Sequence, residues 1–296
     1  MNITVMGQGA WGQALATVAR SAGHDVSQWS RSSAPMEACD AVIIAVPAQA
    51  LRNVLPFVNA QIIVSASKGI ERDTGLTMAE VVQAQLPDHQ FYALSGPSFA
   101  ADVLAGLPTA ITMAGRDLNA TTKLAAALSL PTFRIYASDD VIGVELGGAL
   151  KNVLAIACGV ADGRGLGESA RASLITRGFA ELSRFAQLRG AKPETLMGLS
   201  GLGDLLLTCS STKSRNYSFG LALGKGQSAE AALAQSFGVV EGAATARIAA
   251  SLAAKHHVDM PIINAVTAII DGTLKPDEVI AKLLARPVGV ENKVRS

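Results

Sequence analysis

The N-terminal half of the chain alternates between short apolar runs and amphipathic helical patterns. The first run, Asn2 to Met6, leads through a glycine turn into apolar residues spaced three and four positions apart between Trp11 and Ala22, which predicts a helix with one buried face. Further strands are predicted at 25–29, 41–46, 61–66, 91–95, 109–114 and 133–137, with further helices at 76–86 and 117–128. This alternation predicts a doubly wound, mostly parallel α/β sheet.

After Ser138 the strand pattern stops and only helical patterns follow. A long apolar segment covers 138–163, and shorter helices are predicted at 169–188, 228–235, 242–256, 261–271 and 276–285. The sequence therefore predicts two domains, an α/β domain over residues 1–137 and an all-α domain over residues 138–296.

The link between the second and third predicted strands is short. Ser30 to Asp40 comprises 11 residues and includes a proline, which is too few for the usual crossover helix and a further strand. We therefore expect the parallel sheet to be abbreviated after its second strand.

A glycine-rich turn joins the first strand to the first helix. Its sequence is GxGxxG, with Gly7 at the turn, Gly9 where backbone can approach a pyrophosphate, and Gly12 where the helix packs on the strand. Because the turn follows a strand and precedes a helix, it favours a dinucleotide site. Residues 1–137 are accordingly predicted to form a Rossmann-type domain.

The end of the second strand bears on the choice of dinucleotide. An acid that would hold the ribose 2′-hydroxyl of NAD is missing after Trp29, where Arg31 is followed by Ser32 and Ser33. Arginine and serine suit a 2′-phosphate, so we expect NADPH to be preferred and NADH to be possible. An ordinary surface arginine is the alternative interpretation.

One lysine stands in the most apolar predicted helix. The segment from Val141 to Val160 is apolar nearly all round, as expected of a helix surrounded by protein, and Lys151 lies within it. Gly147 and Gly148 share the helix face of the lysine and leave that face open. Two interpretations stay open here: tight helix packing with the lysine reaching solvent, or a desolvated ammonium that transfers protons.

Several loops carry polar residues in positions suited to a ligand. Lys68 and the Gly96–Ser98 segment follow predicted strands, and open α/β sheets bind ligands at the carboxyl ends of their strands. In the helical half, a glycine-rich segment leads to Asp204, and the run 213–216 reads Lys-Ser-Arg-Asn. Such a run can bind a phosphate, although a solvated polar loop is the simpler interpretation.

Composition excludes several functions. The 296 residues carry a formal net charge of +1, so neither nucleic acid nor an anionic membrane is an expected partner. The apolar runs fall short of the roughly 18 residues that a spanning helix requires.

The three cysteines and four histidines show no metal-site spacing. With no secretory signal at its start, the protein is predicted to be cytoplasmic.

A series of ordered motifs covers nearly the whole chain. They are GQGAWG at 7–12, SKGIE at 67–71, SGPSFA at 95–100, ELGGALKNVLAIACGVADG at 145–163, GLSGLGDLLLTC at 198–209, SRN at 214–216 and GVVEG at 238–242. In this order they resemble the bacterial NAD(P)-dependent glycerol-3-phosphate dehydrogenases. The chain departs from that family at Ala10, where serine is frequent, and in the short 30–40 link.

The resemblance implies an activity and roles for particular residues. It implies reduction of dihydroxyacetone phosphate to sn-glycerol 3-phosphate without a metal, supplying glycerophospholipid synthesis, by a homodimer. Lys151 matches the general acid/base lysine, Lys68 is expected to stabilise the alkoxide, and Asp204 is expected to hold Lys151 in position. The implied substrate positions are Lys68, Gly96, Ser98, Lys151, Asp204, Ser214, Arg215 and Asn216. The implied cofactor positions are Gly7, Gly9, Ala10, Trp11, Gly12, Arg31, Lys68, Ala100, Arg215, Val239 and Glu241.

Two other functions stay open on sequence alone. A sister hydroxyacid or ketopantoate-type reductase shares the two-domain plan and a catalytic lysine, but its substrates carry a carboxylate, and the SRN motif favours a phosphate instead. A non-catalytic dinucleotide sensor is the second alternative. The presence of both lysines and of Asp204 argues against it.

Overall fold

A computed structural model of the protein describes residues 1–32 and 35–287. In these residues seven strands form one sheet, in the order β2-β1-β3-β4-β5-β6-β7. The strands are β1 (Asn2–Met6), β2 (Asp25–Trp29), β3 (Ala41–Ile44), β4 (Ile62–Ser65), β5 (Gln90–Ser95), β6 (Thr109–Gly115) and β7 (Phe133–Ser138). All neighbouring strands are parallel except β5 and β6, which are antiparallel. The predicted mostly parallel sheet is therefore confirmed.

The sheet is abbreviated where the sequence indicates it. β2 is the outermost strand, and the chain passes from it to β3, which pairs with the other edge of β1. The strand and helix that usually extend a doubly wound sheet beyond β2 are thus absent from the described chain between β2 and β3.

The described chain packs into two compact units. The first comprises Met1–Ala149 with Ala186–Leu207, and the second comprises Leu150–Phe185 with the segment that starts at Thr208. The division falls inside the long helix and not before it. The sequence boundary between residues 137 and 138 separates strands from helices along the chain, and as a domain boundary it stays a prediction.

Helices cover both faces of the sheet in the first unit. They include α1 (Ala10–Ser21), α2 (Leu51–Val54), α3 (Met78–Gln85), α4 (Ala100–Leu104) and α5 (Leu118–Leu128). On one face Ile3 and Val5 pack in a core with Leu15 of α1, and on the other Ile44 packs in a core with Val81 of α3. The carboxyl ends of the strands and the loops that follow them are thus held between two apolar layers.

The remaining helices confirm the predicted helical second half. They are α6 (Val141–Gly163), α7 (Glu168–Leu188), α8 (Pro193–Leu196), α9 (Asp204–Cys209), α10 (Arg215–Gly224), α11 (Ala229–Ala234), α12 (Glu241–Lys255), α13 (Pro261–Ile270) and α14 (Pro276–Leu284). Among the described residues only α6 has the length and apolar composition to cross a membrane. The expectation that every apolar run falls short of a spanning helix is therefore wrong for α6. Its most apolar window is 89% buried inside the protein, as in the core helix of a globular protein.

In the second unit α6 and α10 approach each other through glycines. A Cβ added to Gly220 would overlap the carbonyl oxygen of Ile156, and one added to Gly159 would overlap that of Tyr217. Gly163 and Gly224 face each other in the same way one turn further along. The two backbones are therefore in direct contact, which fixes the position of α10 and of the SRN motif at its start.

We expect Gly220→Ala to destabilise the protein by about 2 kcal/mol or more, because a rigid backbone has to move to admit the methyl group. This loss of stability exceeds the stabilisation of about 1 kcal/mol that alanine gives a helix relative to glycine. Thermal unfolding measures the effect. Gly178→Ala is the control: its Cβ would meet only the side chain of Leu154, which can change rotamer, so a smaller loss is expected. Equal losses in both variants would contradict this account.

Candidate active site

The glycine turn between β1 and α1 has the geometry of a phosphate cradle. Gly7 has φ +114°, a value that L side chains rarely adopt, and a Cβ there would lie 2.6 Å from the carbonyl oxygen of Ala45. A Cβ on Gly12 would overlap the carbonyl of Gly7, whereas one on Gly9 would meet nothing within 4 Å. Gly7 and Gly12 therefore shape the turn, and Gly9 leaves it open.

The start of α1 fits a dinucleotide. Gly9 is the N-cap and no side chain accepts from the first N–H groups of this 12-residue helix, so these donors suit a pyrophosphate. Nearby, the indole Nε1 of Trp11 is buried and has no partner among the described residues. A buried donor left unpaired is rare in proteins, and a bound cofactor would explain it. Ala10, the first helical residue, offers no hydroxyl.

Few described residues follow the end of β2, where the ribose of the dinucleotide is predicted to bind. Arg31 is exposed beyond the end of β2, and the hydroxyls of Ser30 and Ser32 are 3.0 Å apart. Ser33 lies outside the described residues. The backbone N–H of Gly7 donates to the carbonyl of Trp29 at 3.2 Å, which ties the end of β2 to the glycine turn. Arg31 follows this strand end by two residues, and its role as a ligand of the 2′-phosphate stays a prediction.

Four of the predicted substrate residues come together in the first unit. Lys68 Nζ donates to Asp204 Oδ2 at 2.7 Å and to the carbonyl oxygen of Gly96 at 3.2 Å. The Ser98 hydroxyl donates to the same carbonyl at 3.1 Å. The side chain of Asp204 is only 2% exposed and that of Lys68 18%. The lysine thus compensates a buried carboxylate while its own side chain stays partly exposed.

A short π-helix places Asp204. It spans Leu199–Gly203 and ends at Asp204, the first residue of α9. A Cβ on Gly147 of α6 would lie 2.8 Å from the carbonyl oxygen of Ser200, so the glycine lets this segment approach α6. Such π segments are frequent at functional sites because they shift the residues that follow them. Gly147 therefore serves close backbone approach, whereas Gly148 leaves room for the side chains of Ser95 and Lys68, so the helix face that was expected to be open is filled by protein.

Lys151 is buried in the second unit. It is only 6% exposed, and its Nζ donates to the Thr208 hydroxyl at 2.9 Å. The interpretation of a lysine that reaches solvent is therefore wrong and the burial of the ammonium is confirmed, whereas its transfer of protons stays a prediction. Thr208 was missed by the sequence analysis, although its place four residues after Asp204 could have indicated it. The predicted hold of Asp204 on Lys151 stays a prediction, since the ion pair described for Asp204 is with Lys68.

The SRN motif forms the start of α10. The Ser214 hydroxyl caps the helix by accepting from the backbone N–H of Tyr217. The Asn216 amide donates to Asn152 Oδ1 at 2.9 Å and accepts from the backbone N–H of Gly242 at 2.9 Å. Both side chains are buried and therefore hold the backbone in place. Asn152, next to the lysine, is a further residue of this cluster that the sequence-based prediction did not include.

Arg215 differs from its two neighbours because it is exposed. A Cβ on Gly238 would lie 2.7 Å from its Nη1, so the GVVEG segment lies against the guanidinium. Val239 in this segment is exposed, and Glu241 is the first residue of α12. Ala100, the other predicted cofactor position, is the first residue of α4 in the first unit.

A buried glutamate secures the helix that follows the Lys68 loop. Glu145 Oε1 accepts from the backbone N–H of Ala79 at 2.8 Å, in the first turn of α3. Burial raises the pKa of Glu145 from 4.5 to about 7, an increase to which the carboxylate of Glu80 adds, while hydrogen bonds from Thr77 and Ala79 oppose it. The folded protein therefore holds this proton more tightly than the unfolded chain does.

We expect the stability that Glu145 contributes to be fully present below about pH 4.5 and lost as pH rises through about 7. Glu145→Gln keeps the acceptor but removes the charge, so it should stabilise the protein at about pH 8 relative to wild type, by at most about 3 kcal/mol. Thermal unfolding at pH values across this range measures the difference. The exposed Glu230→Gln serves as the control, and a Glu145→Gln effect independent of pH would contradict the prediction.

The residues that the structure describes contain no group of three or more His, Cys, Asp or Glu that could hold a metal ion. The ionisable groups around Gly96 are instead a lysine and an aspartate. This donor set suits charge stabilisation of an oxyanion by an ammonium.

Comparison with known proteins identifies relatives of the whole chain. The family model described as the NAD-dependent glycerol-3-phosphate dehydrogenase C-terminus matches residues 140–281, and that of the N-terminus matches residues 2–40 and 33–121. The N-terminal match is thus divided at the short link after β2. This division agrees with a sheet that lacks the elements usually found there.

Individual relatives agree with the family models. A glycerol-3-phosphate dehydrogenase [NAD(P)+] of Brucella ovis is 49% identical over 98% of this chain and 99% of its own. That of Methylobacterium radiotolerans is 50% identical over 97% of each chain. The solved glycerol-3-phosphate dehydrogenase from Coxiella burnetii superposes with a TM-score of 0.89 at 37% identity, covering 96% of this chain and 99% of that one.

Proposed function

The chain belongs to the family of NAD-dependent glycerol-3-phosphate dehydrogenases, and from this premise we propose how its residues reduce dihydroxyacetone phosphate to sn-glycerol 3-phosphate. The observation that carries the proposal is the pair of buried or partly buried lysines, Lys68 on Asp204 and Lys151 on Thr208. An ammonium held out of water is suited to charge stabilisation and proton transfer at a carbonyl oxygen.

The dinucleotide would be held by the glycine turn and the start of α1, with Trp11 beside it. When bound, the reduced nicotinamide supplies a hydride to C2 of the ketone. Lys151 donates a proton to the carbonyl oxygen as negative charge builds there, which yields the alcohol. Thr208 fixes the lysine by accepting one of its hydrogen bonds, so that the proton is presented in one direction.

Lys68 stabilises the same charge without giving up a proton. Two of its three N–H donors are taken by Asp204 and by the carbonyl of Gly96, so its ammonium is held in place before the substrate binds. Such preorganisation avoids reorientation during the reaction. Gly96 and Ser98 complete this side of the substrate site.

Arg215 binds the phosphate group of the substrate. Its guanidinium offers a planar set of donors that matches phosphate oxygens, and it is exposed while Ser214 and Asn216 anchor the backbone on either side. Val239, Glu241 and Ala100 are proposed to contact the dinucleotide, in which Arg31 reads the 2′-phosphate. We accordingly propose NADPH as the preferred cofactor and NADH as the weaker one.

Membership of the same family supports proposals for the cellular location, the oligomeric state and the use of the product. We propose that the enzyme acts in the cytoplasm as a homodimer and that its product supplies glycerophospholipid synthesis. Homodimers with two-fold symmetry are the commonest oligomers of globular enzymes. Sedimentation of the purified protein tests the dimer.

The activity is tested by following the absorbance of the reduced nicotinamide with dihydroxyacetone phosphate, with NADPH and NADH compared side by side. Oxidation that is faster with NADPH is the expected result. Ketopantoate, a ketoacid without phosphate, serves as the control substrate and should give no turnover. Turnover of ketopantoate alone would contradict the proposal, and equal rates with both cofactors would contradict the role of Arg31.

A further inference from the structure

The hydroxyl of Ser95 is a buried polar group without a partner. Ser95 is the last residue of β5 and is 5% exposed, and its Oγ forms no hydrogen bond with any described residue. Buried hydroxyls nearly always have a partner, since an unpaired one destabilises the protein. An orphan hydroxyl next to a substrate site therefore indicates a ligand group that completes it.

Ser95 borders the same glycine as Lys68. A Cβ built on Gly148 would lie 2.5 Å from Ser95 Oγ and 3.5 Å from Lys68 Cδ. The Ser95 hydroxyl thus fills the space where a side chain on this glycine would stand, and the Lys68 side chain lies beside it. The ammonium uses two of its three N–H groups on Asp204 and Gly96, so a third donor is left for a ligand beside the hydroxyl.

The chemistry of a serine hydroxyl selects among the oxygen atoms of the substrate. Dihydroxyacetone phosphate carries a phosphate, a carbonyl and a C1 hydroxyl, of which only the hydroxyl both donates and accepts. We propose that Ser95 binds this C1 hydroxyl and so selects the substrate over ketone phosphates that lack it. The proposal rests on the proposed function, in which the phosphate is assigned to Arg215 and the carbonyl to the two lysines.

The chain contains a matched control for Ser95. Ser200 is also a buried serine, 1% exposed, and its Oγ has no partner among the described residues. It lies in the π-helix, where its backbone carbonyl faces Gly147. Ser200→Ala thus removes the same group in the same unit without removing the hydroxyl that borders Gly148.

The experiment compares kcat/KM for dihydroxyacetone phosphate and for acetol phosphate, which has a methyl group in place of the hydroxymethyl group. Wild type should strongly prefer the first ketone, because the second leaves Ser95 unpaired. In Ser95→Ala we expect the preference to fall by roughly tenfold or more, through loss of activity on dihydroxyacetone phosphate alone. Ser200→Ala should keep the wild-type preference.

Other results would contradict either the role of Ser95 or the proposed function. A preference within about twofold of wild type in Ser95→Ala, or an equal loss on both ketones, would overturn the role of Ser95. Wild-type protein that reduces neither ketone would refute the proposed function instead. Removal of an unpaired hydroxyl should not lower the melting temperature, and Ser95→Cys, which fills nearly the same volume with a weak donor, gives a second measurement of the preference.

Discussion

Replacing Lys151 by alanine is expected to lower kcat by about a hundredfold to ten-thousandfold, the range that a positioned general acid contributes. The reason is that the ammonium is only 6% exposed and is held by Thr208, so that water cannot readily take its place. Binding of NADPH should remain close to wild type, because Lys151 is not among the proposed contacts of the dinucleotide. Turnover and the quenching of tryptophan fluorescence by NADPH measure the two effects separately.

The loss of the ammonium has to be distinguished from the loss of packing. Lys151→Met keeps most of the buried volume and removes the charge, so it should lose as much kcat as Lys151→Ala while melting closer to wild type. Thr208→Val keeps the lysine but removes its acceptor, and a smaller loss is expected. Turnover near that of wild type in either lysine variant would end the assignment of Lys151 as the acid.

The strands and long helices were predictable because their signals are local. The predicted and observed bounds of β1 and β2 agree, and α6 begins and ends within the predicted segment 138–163. Burial of one face of a strand places apolar residues at every second position, and burial of one stripe of a helix places them about every 3.6 positions. Both patterns can therefore be recognised in a short stretch of sequence. The glycine turn was predictable for the same reason, since Gly7, Gly9 and Gly12 act within six residues.

The contacts of the site were not predictable from local signals. Lys68 and Asp204 are 136 residues apart in sequence, and Lys151 and Thr208 are 57 apart. The resemblance to a family pointed to both lysines, but it did not reveal which residue accepts from each of them. The π-helix before Asp204 was also missed, because its glycines are typical of loops. Helices α9 and α10, of six and ten residues, were missed because they are too short to show a helical apolar period clearly.

Replacing Arg215 by lysine is expected to raise the KM for dihydroxyacetone phosphate by roughly tenfold or more, since lysine keeps the charge but not the planar set of donors that binds two phosphate oxygens together. The fold should be unaffected, because the Ser214 cap and the buried Asn216 hold the start of α10. Steady-state kinetics give KM, and inhibition by inorganic phosphate, which should weaken in parallel, gives a measure of phosphate binding that does not depend on turnover.

The arginine of α12 provides the matched control for this substitution. Arg247 forms an exposed ion pair with Asp271 at 2.5 Å in the same unit, so Arg247→Lys makes the same chemical change outside the proposed phosphate site and should leave KM unaltered. Gly238→Ala leaves the arginine itself intact, but its methyl group would displace Nη1, and at φ +98° it also strains the backbone of the segment beside the guanidinium, so KM should rise. A KM that stays at the wild-type value in both Arg215→Lys and Gly238→Ala would place the phosphate elsewhere, because two independent disturbances of the guanidinium would then have had no effect.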